Sequence, residues 1–274
     1  MKTSRYSFQG KWALVTGASS GIGKAFAHEL ARRGTNVVLS ARSQHALEEL
    51  AQKLETQFKV ATAAIALDLA EPKAPERLLS AVEERHIPVR VLINNAGFGT
   101  YGKLHENDLE QNGRQILLNV SSLALLTQLF LPAMVAKRDG VIINVASTAG
   151  FQPTPYMAVY GATKAFVLSF SEALWAENQE TGVHILALCP GPVETSFFKV
   201  LGSEEPASTG RMESPENTVA TAFRALDEGR SYVVTGGVRN YLLTQSNRFT
   251  PRAMVTRISE KMLRPRMHTV AEAA

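Results

Sequence analysis

Seven short runs rich in β-branched and aliphatic residues recur along the chain, separated by stretches with helical periodicity, and this alternation constrains the fold more than any other feature. The runs are Lys11 to Thr16, Asn36 to Ser40, Val60 to Leu67, Arg90 to Asn94, Gly140 to Ala146, Val183 to Cys189 and Ser231 to Thr235. They read as near-continuous apolar segments, the pattern of strands covered on both faces. Strands alternating with helices give a parallel sheet with right-handed crossovers. The expected architecture is therefore an α/β, doubly wound Rossmann-type sheet of about seven strands with helices on both faces. In the first helix Ile22, Phe26 and Leu30 fall four apart on one stripe, and Gly34 follows Arg32 and Arg33 as a stop signal.

At 274 residues a single domain can bury roughly three-quarters of its unfolded surface without metal or disulfide. The lone Cys189 allows no internal disulfide and fits a reducing compartment. The six histidines have no metal-ligand spacing, so no metal site is expected. The net charge of +4 hints at an anionic partner, but it is unevenly placed: residues 1–238 carry 22 basic and 23 acidic side chains, and residues 239–274 carry seven and two. A neutral body argues against nucleic acid as its partner. A catalytic domain over 1–238, with a substrate loop at about 196–215, and a basic C-terminal extension over 239–274 are the expected divisions.

The first residues lack the apolar run of a secretory signal, which points to the cytoplasm. Ile116 to Val135 is long and apolar enough to span a bilayer, but Asn119, Gln128 and Pro132 fall inside it, so a buried core helix is expected.

Between the first run and the first helix stands Thr16-Gly17-Ala18-Ser19-Ser20-Gly21-Ile22-Gly23. Glycines let the backbone turn and approach a pyrophosphate, and the helix that follows presents free N–H groups to it. The spacing is neither G-x-G-x-x-G nor a P-loop, since Ala25 follows Lys24 where a Ser or Thr is needed. Tyr160 and Lys164 lie four apart on one helical face, and Ser147 follows the fifth run, at the end of the sheet where open α/β proteins bind ligands.

This order, Thr16 to Gly23, then Asn94-Asn95-Ala96-Gly97, Ser147, Tyr160-Gly-Ala-Thr-Lys164 and Pro190-Gly191, resembles the short-chain dehydrogenase/reductase family over about residues 10 to 235. Within it, the chain resembles bacterial members related to hydroxysteroid dehydrogenases and long-chain ketoacyl reductases. The resemblance implies hydride transfer between a nicotinamide and a carbonyl or secondary alcohol. Tyr160 would be the acid/base, Lys164 would lower its pKa and hold the nicotinamide ribose, Ser147 would orient the substrate oxygen, and Asn119 would complete a water-linked relay. Lowering a tyrosine by three units takes about 4 kcal/mol. One charge about 4 Å away at an effective dielectric of about 20 contributes about 4 kcal/mol. Simpler roles are also open: a helix cap for Ser147 and a backbone bond for Asn119.

For the cofactor, the resemblance implies contacts from Gly17, Ser19, Ser20, Gly21, Ile22 and Gly23, from Asp68 and Leu69 at the adenine, and from Asn95, Ala96 and Gly97. Pro190, Gly191, Val193 and Thr195 would border the nicotinamide. After the second run, Ala41 and Arg42 occupy the place where an NAD site carries an acid, and a guanidinium suits a 2′-phosphate, so NADP(H) is expected. Phe98, Phe151, Tyr156, Phe197 and the neighbouring Phe198 suggest a lipophilic carbonyl substrate. A catalytically silent NADP-binding sensor or scaffold is the alternative. Relatives commonly pair through the helices holding Asn119 and Tyr160, which implies a homodimer or homotetramer.

In the extension, arginines alternate with Leu242, Leu243, Phe249, Met254 and Ile258, a pattern that fits peripheral contact of 239–266 with an anionic membrane. It also fits a helix covering the substrate site or a subunit interface.

Overall fold

The computed structural model describes residues 6–195, 197 and 212–265. Seven parallel strands form one sheet: β1 (Trp12–Thr16), β2 (Asn36–Ala41), β3 (Thr62–Ala66), β4 (Val89–Asn94), β5 (Gly140–Val145), β6 (Val183–Cys189) and β7 (Tyr232–Val234). Their spatial order is β3-β2-β1-β4-β5-β6-β7. All seven expected strands are present, with ends shifted by up to two residues. β3 starts late because the preceding helix ends in a left-handed cap at Lys59 and the chain needs Val60 and Ala61 to re-enter the sheet.

The helices are α1 (Gly21–Arg32), α2 (Gln44–Phe58), α3 (Ala74–Glu83), α4 (Leu109–Ile116), α5 (Leu123–Lys137), α6 (Ala158–Glu177), α7 (Pro215–Asp227), α8 (Val238–Ser246) and α9 (Arg252–Leu263). Along β1 the side chains alternate between two cores. Ala13 and Val15 join Phe26, Leu30, Leu54 and Phe223, so α1, α2 and α7 cover that face. Leu14 joins Leu78, Leu126, Phe130 and Met134, so α3 and α5 cover the other. Phe26 and Leu30 of the expected α1 stripe are fully buried, and Ile22 packs partly buried beside them.

The apolar window at Ile116 to Val135 departs from expectation. A six-residue π-helical turn, Leu117–Ser122, joins α4 to α5, and only 33% of the most apolar window of Leu109–Lys137 is buried. Leu123, Leu126 and Phe130 face the sheet, whereas Ile116, Leu117 and Leu125 are exposed. The helix lies along a sheet face rather than inside a core, so one side has no cover. The segment is also long and apolar enough to cross a membrane by length and composition.

The order in which strands are added reverses at β1 and β4, which are parallel neighbours, and such a switch point opens a crevice at the carboxyl ends of the strands.

Candidate active site

The crevice at that switch point is a cavity of about 1060 Å³, running from Ser40 and Arg42 at one end, past Gly17 and Gly97, to Ser147 and Tyr160, and on to α8 and α9.

Its first half is built from backbone. Gly17 has φ +64°, and a Cβ there would lie 2.8 Å from Asn95 Nδ2 and 3.0 Å from the Ala96 Cα. A Cβ on Gly23 would overlap the Gly17 carbonyl. Any side chain at either position would push the loop off the strand end. Side chains then stitch β1 to β4: Asn95 Nδ2 donates to the Thr16 carbonyl at 2.9 Å, and the Thr16 hydroxyl accepts from the N–H groups of Asn95 and Ala96 at 3.0 Å each. The result is a side-chain-free concavity facing the N-terminus of α1, where Ser20 makes no side-chain cap and the free N–H groups remain for an anion. Gly23 therefore packs behind the loop, while Gly17, Ser19, Ser20, Gly21 and Ile22 line the cavity.

Arg42 and Ser43 are exposed at the cavity's rim after β2, with Ala41 leaving no carboxylate at the strand end. This donor set fits a 2′-phosphate. Asp68 and Leu69 line the same end, and the Ser122 hydroxyl donates to the Leu69 carbonyl. The Asp68 carboxylate is already engaged: Oδ1 accepts from the Ala70 N–H at 2.9 Å and Oδ2 accepts from Arg114 Nη2 at 2.6 Å. Arg114 on α4 was not among the expected residues, because no local pattern ties it to a residue 46 positions earlier. Asn95, Ala96, Gly97, Pro190, Gly191, Val193 and Thr195 also line the cavity.

Tyr160, Lys164 and Ser147 meet in its centre. Lys164 is buried, and its Nζ donates to the Val145 carbonyl at 2.7 Å while lying 5.8 Å from the Tyr160 ring centre. Burial brings its pKa down to about 8. The Tyr160 phenol is pushed up to about 12 by burial, opposed by a hydrogen bond with Ser147. Desolvation is the largest influence on the phenol, and the Lys164 ammonium donates to the Val145 carbonyl. The Ser147 oxygen also accepts from the Ala149 N–H at 3.1 Å, so its capping role and its contact with Tyr160 coexist.

Asn119 is buried behind the cavity. Its amide donates to the Phe98 carbonyl at 2.9 Å and to the Thr163 hydroxyl at 3.1 Å, and its Oδ1 accepts from the Phe98 N–H. All its protein contacts thus hold the loop after β4 against α6, and the π-helical turn aims it there.

Of the aromatic residues expected at the substrate, Phe98 and Phe197 line the cavity, and the Phe197 ring lies 5.3 Å from that of Tyr160. Phe151 and Tyr156 do not. Phe151 packs on Tyr232, with ring centres 5.7 Å apart, in the core between α6 and β7. Tyr156 has φ +62° and turns outward, donating from its hydroxyl to Glu260 Oε1 at 2.7 Å. Phe198 and most of the loop at 196–215 fall outside the described residues.

The remaining wall comes from the C-terminal extension. Asn240, Leu243 and Thr244 of α8 and Ser259, Met262 and Leu263 of α9 line the cavity. Side-chain bonds hold these helices, among them Tyr156 to Glu260, Tyr101 Oη to the Leu263 carbonyl at 2.6 Å, Asn247 Nδ2 to Gln152 Oε1 at 2.7 Å and Gln245 Nε2 to the Tyr232 hydroxyl at 3.1 Å. Of the readings open for the extension, cover of the substrate site is the one this geometry displays. No group of three metal-ligating side chains occurs among the described residues.

Compared with known proteins, the family described as short chain dehydrogenase matches residues 11–206. The chain is 35% identical over 263 residues to a very-long-chain 3-oxoacyl-CoA reductase-B of Danio rerio, covering 94% of this chain and 78% of that protein. It is similar to a short-chain dehydrogenase from Sphingobium yanoikuyae in complex with NADPH, with a TM-score of 0.78, 29% identity and 96% of this chain and 99% of the other covered. It is also similar to a 7beta-hydroxysteroid dehydrogenase, with a TM-score of 0.83, 27% identity and coverage of 94% and 99%.

Proposed function

The chain belongs to the short chain dehydrogenase family, and from that premise we propose that it reduces a lipophilic ketone, a ketoacyl or steroid-like compound, with NADPH. It is an NADP(H)-dependent oxidoreductase acting on CH–OH and keto groups. The observation that carries the substrate reading is the apolar lining, Phe98, Phe197, Leu243, Met262 and Leu263, of the cavity that also holds Tyr160, whose ring lies 5.3 Å from that of Phe197. It agrees with the relative named for very-long-chain 3-oxoacyl-CoA and the one named for a hydroxysteroid.

When bound, the nicotinamide supplies the hydride. The chain's own residues do the rest. The α1 N-terminus and the glycine loop take the pyrophosphate, and Arg42 with Ser43 takes the 2′-phosphate. Ser147 and Tyr160 hold the carbonyl oxygen between their hydroxyls, and Tyr160 Oη gives it a proton. Lys164, held by the Val145 carbonyl, would bind the nicotinamide ribose. Tyr160, buried in the cavity and hydrogen-bonded with Ser147, is the acid of the reductive direction. Asn119 fixes the Phe98 backbone and the Thr163 hydroxyl so that these groups keep their spacing.

Pairing of copies is part of the same reading: Ile116, Leu117 and Leu125, with Phe166 stacked on Phe170, form an exposed apolar face on α4 to α6.

Tyr160→Phe tests the mechanism. Turnover of NADPH with ketones should fall by about a thousandfold or more, with NADPH affinity unchanged. Turnover that survives removes Tyr160 as the acid, and a wild-type chain that binds NADPH but oxidises it with no ketone restores the silent-sensor reading.

A further inference from the structure

The inner faces of α8 and α9 close the substrate cavity, but their outer faces are unlike the rest of the surface. Fourteen large hydrophobic side chains are exposed among the described residues, and eight of them fall between Val238 and Met262. Phe249, in the turn between the two helices, is 89% exposed. Along α9 the residues at Val255 and Ser259 are buried and those at Met254 and Ile258 are exposed, so the helix is apolar outward as well as inward. Ordinary solvated helices reverse this, with charge on the open side.

The charges interleaved with this surface have one sign. Residues 238–265 contain six basic side chains and one acidic one, a net +5. The single acid, Glu260, is occupied by Tyr156 and by both donors of Arg264, at 2.8 and 3.0 Å. Arg239, Arg252 and Arg257 are exposed. Apolar and aromatic groups flanked by arginines on two adjacent helices, at the end of an otherwise neutral body, complement a surface that is apolar within and anionic at its rim. A second copy would have to match an unbalanced positive face with a positive face of its own.

We propose that the outer face of α8 and α9 docks on an anionic phospholipid bilayer, with the substrate cavity opening onto the lipid between Leu243 and Met262. These two side chains are both exposed and cavity-lining, so they connect the apolar interior to the docked face. A lipophilic ketone dissolved in the bilayer then reaches Tyr160 without crossing water. The proposal rests on the lipophilic-substrate reading only in its account of substrate passage; the docking stands on the surface itself.

The experiment is co-sedimentation of the full chain with vesicles of phosphatidylcholine alone and of phosphatidylcholine containing about one-third phosphatidylglycerol. The chain should sediment with the anionic vesicles and be released by high salt. Arg252→Gln and Arg257→Gln should each weaken that binding by about fivefold, and Phe249→Ser with Met254→Ser should weaken it further. None of these four side chains lines the cavity, so NADPH oxidation with a short water-soluble ketone should be unchanged, and loss of docking is read separately from loss of the reductase activity. A chain that stays in solution with both vesicle types overturns the proposal, as do substitutions that leave sedimentation unaltered. Sedimentation velocity showing that the same substitutions split an oligomer, without vesicle binding by the wild type, would assign this face to a second copy and overturn it too.

Discussion

The two ends of the cavity are built by different means. At the cofactor end the shape is made largely by backbone: a loop that tolerates no Cβ at Gly17 or Gly23, a strand end stitched by Thr16 and Asn95, and a helix N-terminus. At the substrate end it is made by side chains from segments far apart in sequence, tied by bonds such as Tyr156 to Glu260 and Tyr101 to the Leu263 carbonyl. The first kind of construction fixes one ligand whose phosphates always stand in the same place. The second can change its lining by exchanging a few residues and leaves the sheet untouched, which is how one fold serves many carbonyl compounds.

If the ends are separable, substitutions at one should not register at the other. Arg42→Ala should weaken NADPH binding by about thirtyfold, the scale of a charge-assisted contact of about 2 kcal/mol, and leave NADH binding and the KM for the ketone nearly unchanged; fluorescence titration with both nucleotides checks it. An equal loss for the two nucleotides would deny Arg42 the phosphate.

Lys164 lies where the two ends meet, and its burial has a cost visible without any ligand. Its folded pKa of about 8 is below its ordinary value of 10.5. The folded state therefore binds the proton more weakly, and below pH 8 it carries a buried charge that destabilises it. Lys164→Met should raise stability at pH 7 by about 1–3 kcal/mol in chemical unfolding, while abolishing turnover. The advantage should shrink as pH rises from 8 to 10.5, because the wild-type amine loses its charge and regains that stability.

A smaller effect is expected at the latch of the substrate end. Tyr156→Phe keeps the ring and removes the bond to Glu260, worth about 1 kcal/mol. The KM for a lipophilic ketone should rise about fivefold with NADPH affinity constant. A change in NADPH affinity would show that α9 communicates with the cofactor end.

The same contrast explains what was legible in the sequence. A strand covered on both faces and a glycine loop leave local patterns, so all seven strands and the loop at Thr16 to Gly23 were legible in the sequence, whereas the grouping of Ser147 with Tyr160 and Lys164 was implied by the family resemblance. Closeness along the chain misled where side-chain direction decides. Phe151 and Tyr156 precede Tyr160 by a few residues, yet one turns into the core beside Tyr232 and the other, in a left-handed backbone conformation, turns out to Glu260. Arg114 gave no signal because its partner Asp68 is brought near only by the crossover from β3 to α4. The two readings of the basic extension were also inseparable in sequence, since a helix apolar on two sides satisfies both a cavity and a lipid face.

The most direct test of the account is kcat/KM for NADPH oxidation by the wild-type chain along a series of 3-oxoacyl ketones of increasing chain length. An apolar cavity closed by α8 and α9 predicts a rise with each added methylene, up to about fourfold apiece, about 0.8 kcal/mol for each group buried, until the cavity is filled. A kcat/KM that is flat or falling along the series, at full NADPH saturation, would contradict it.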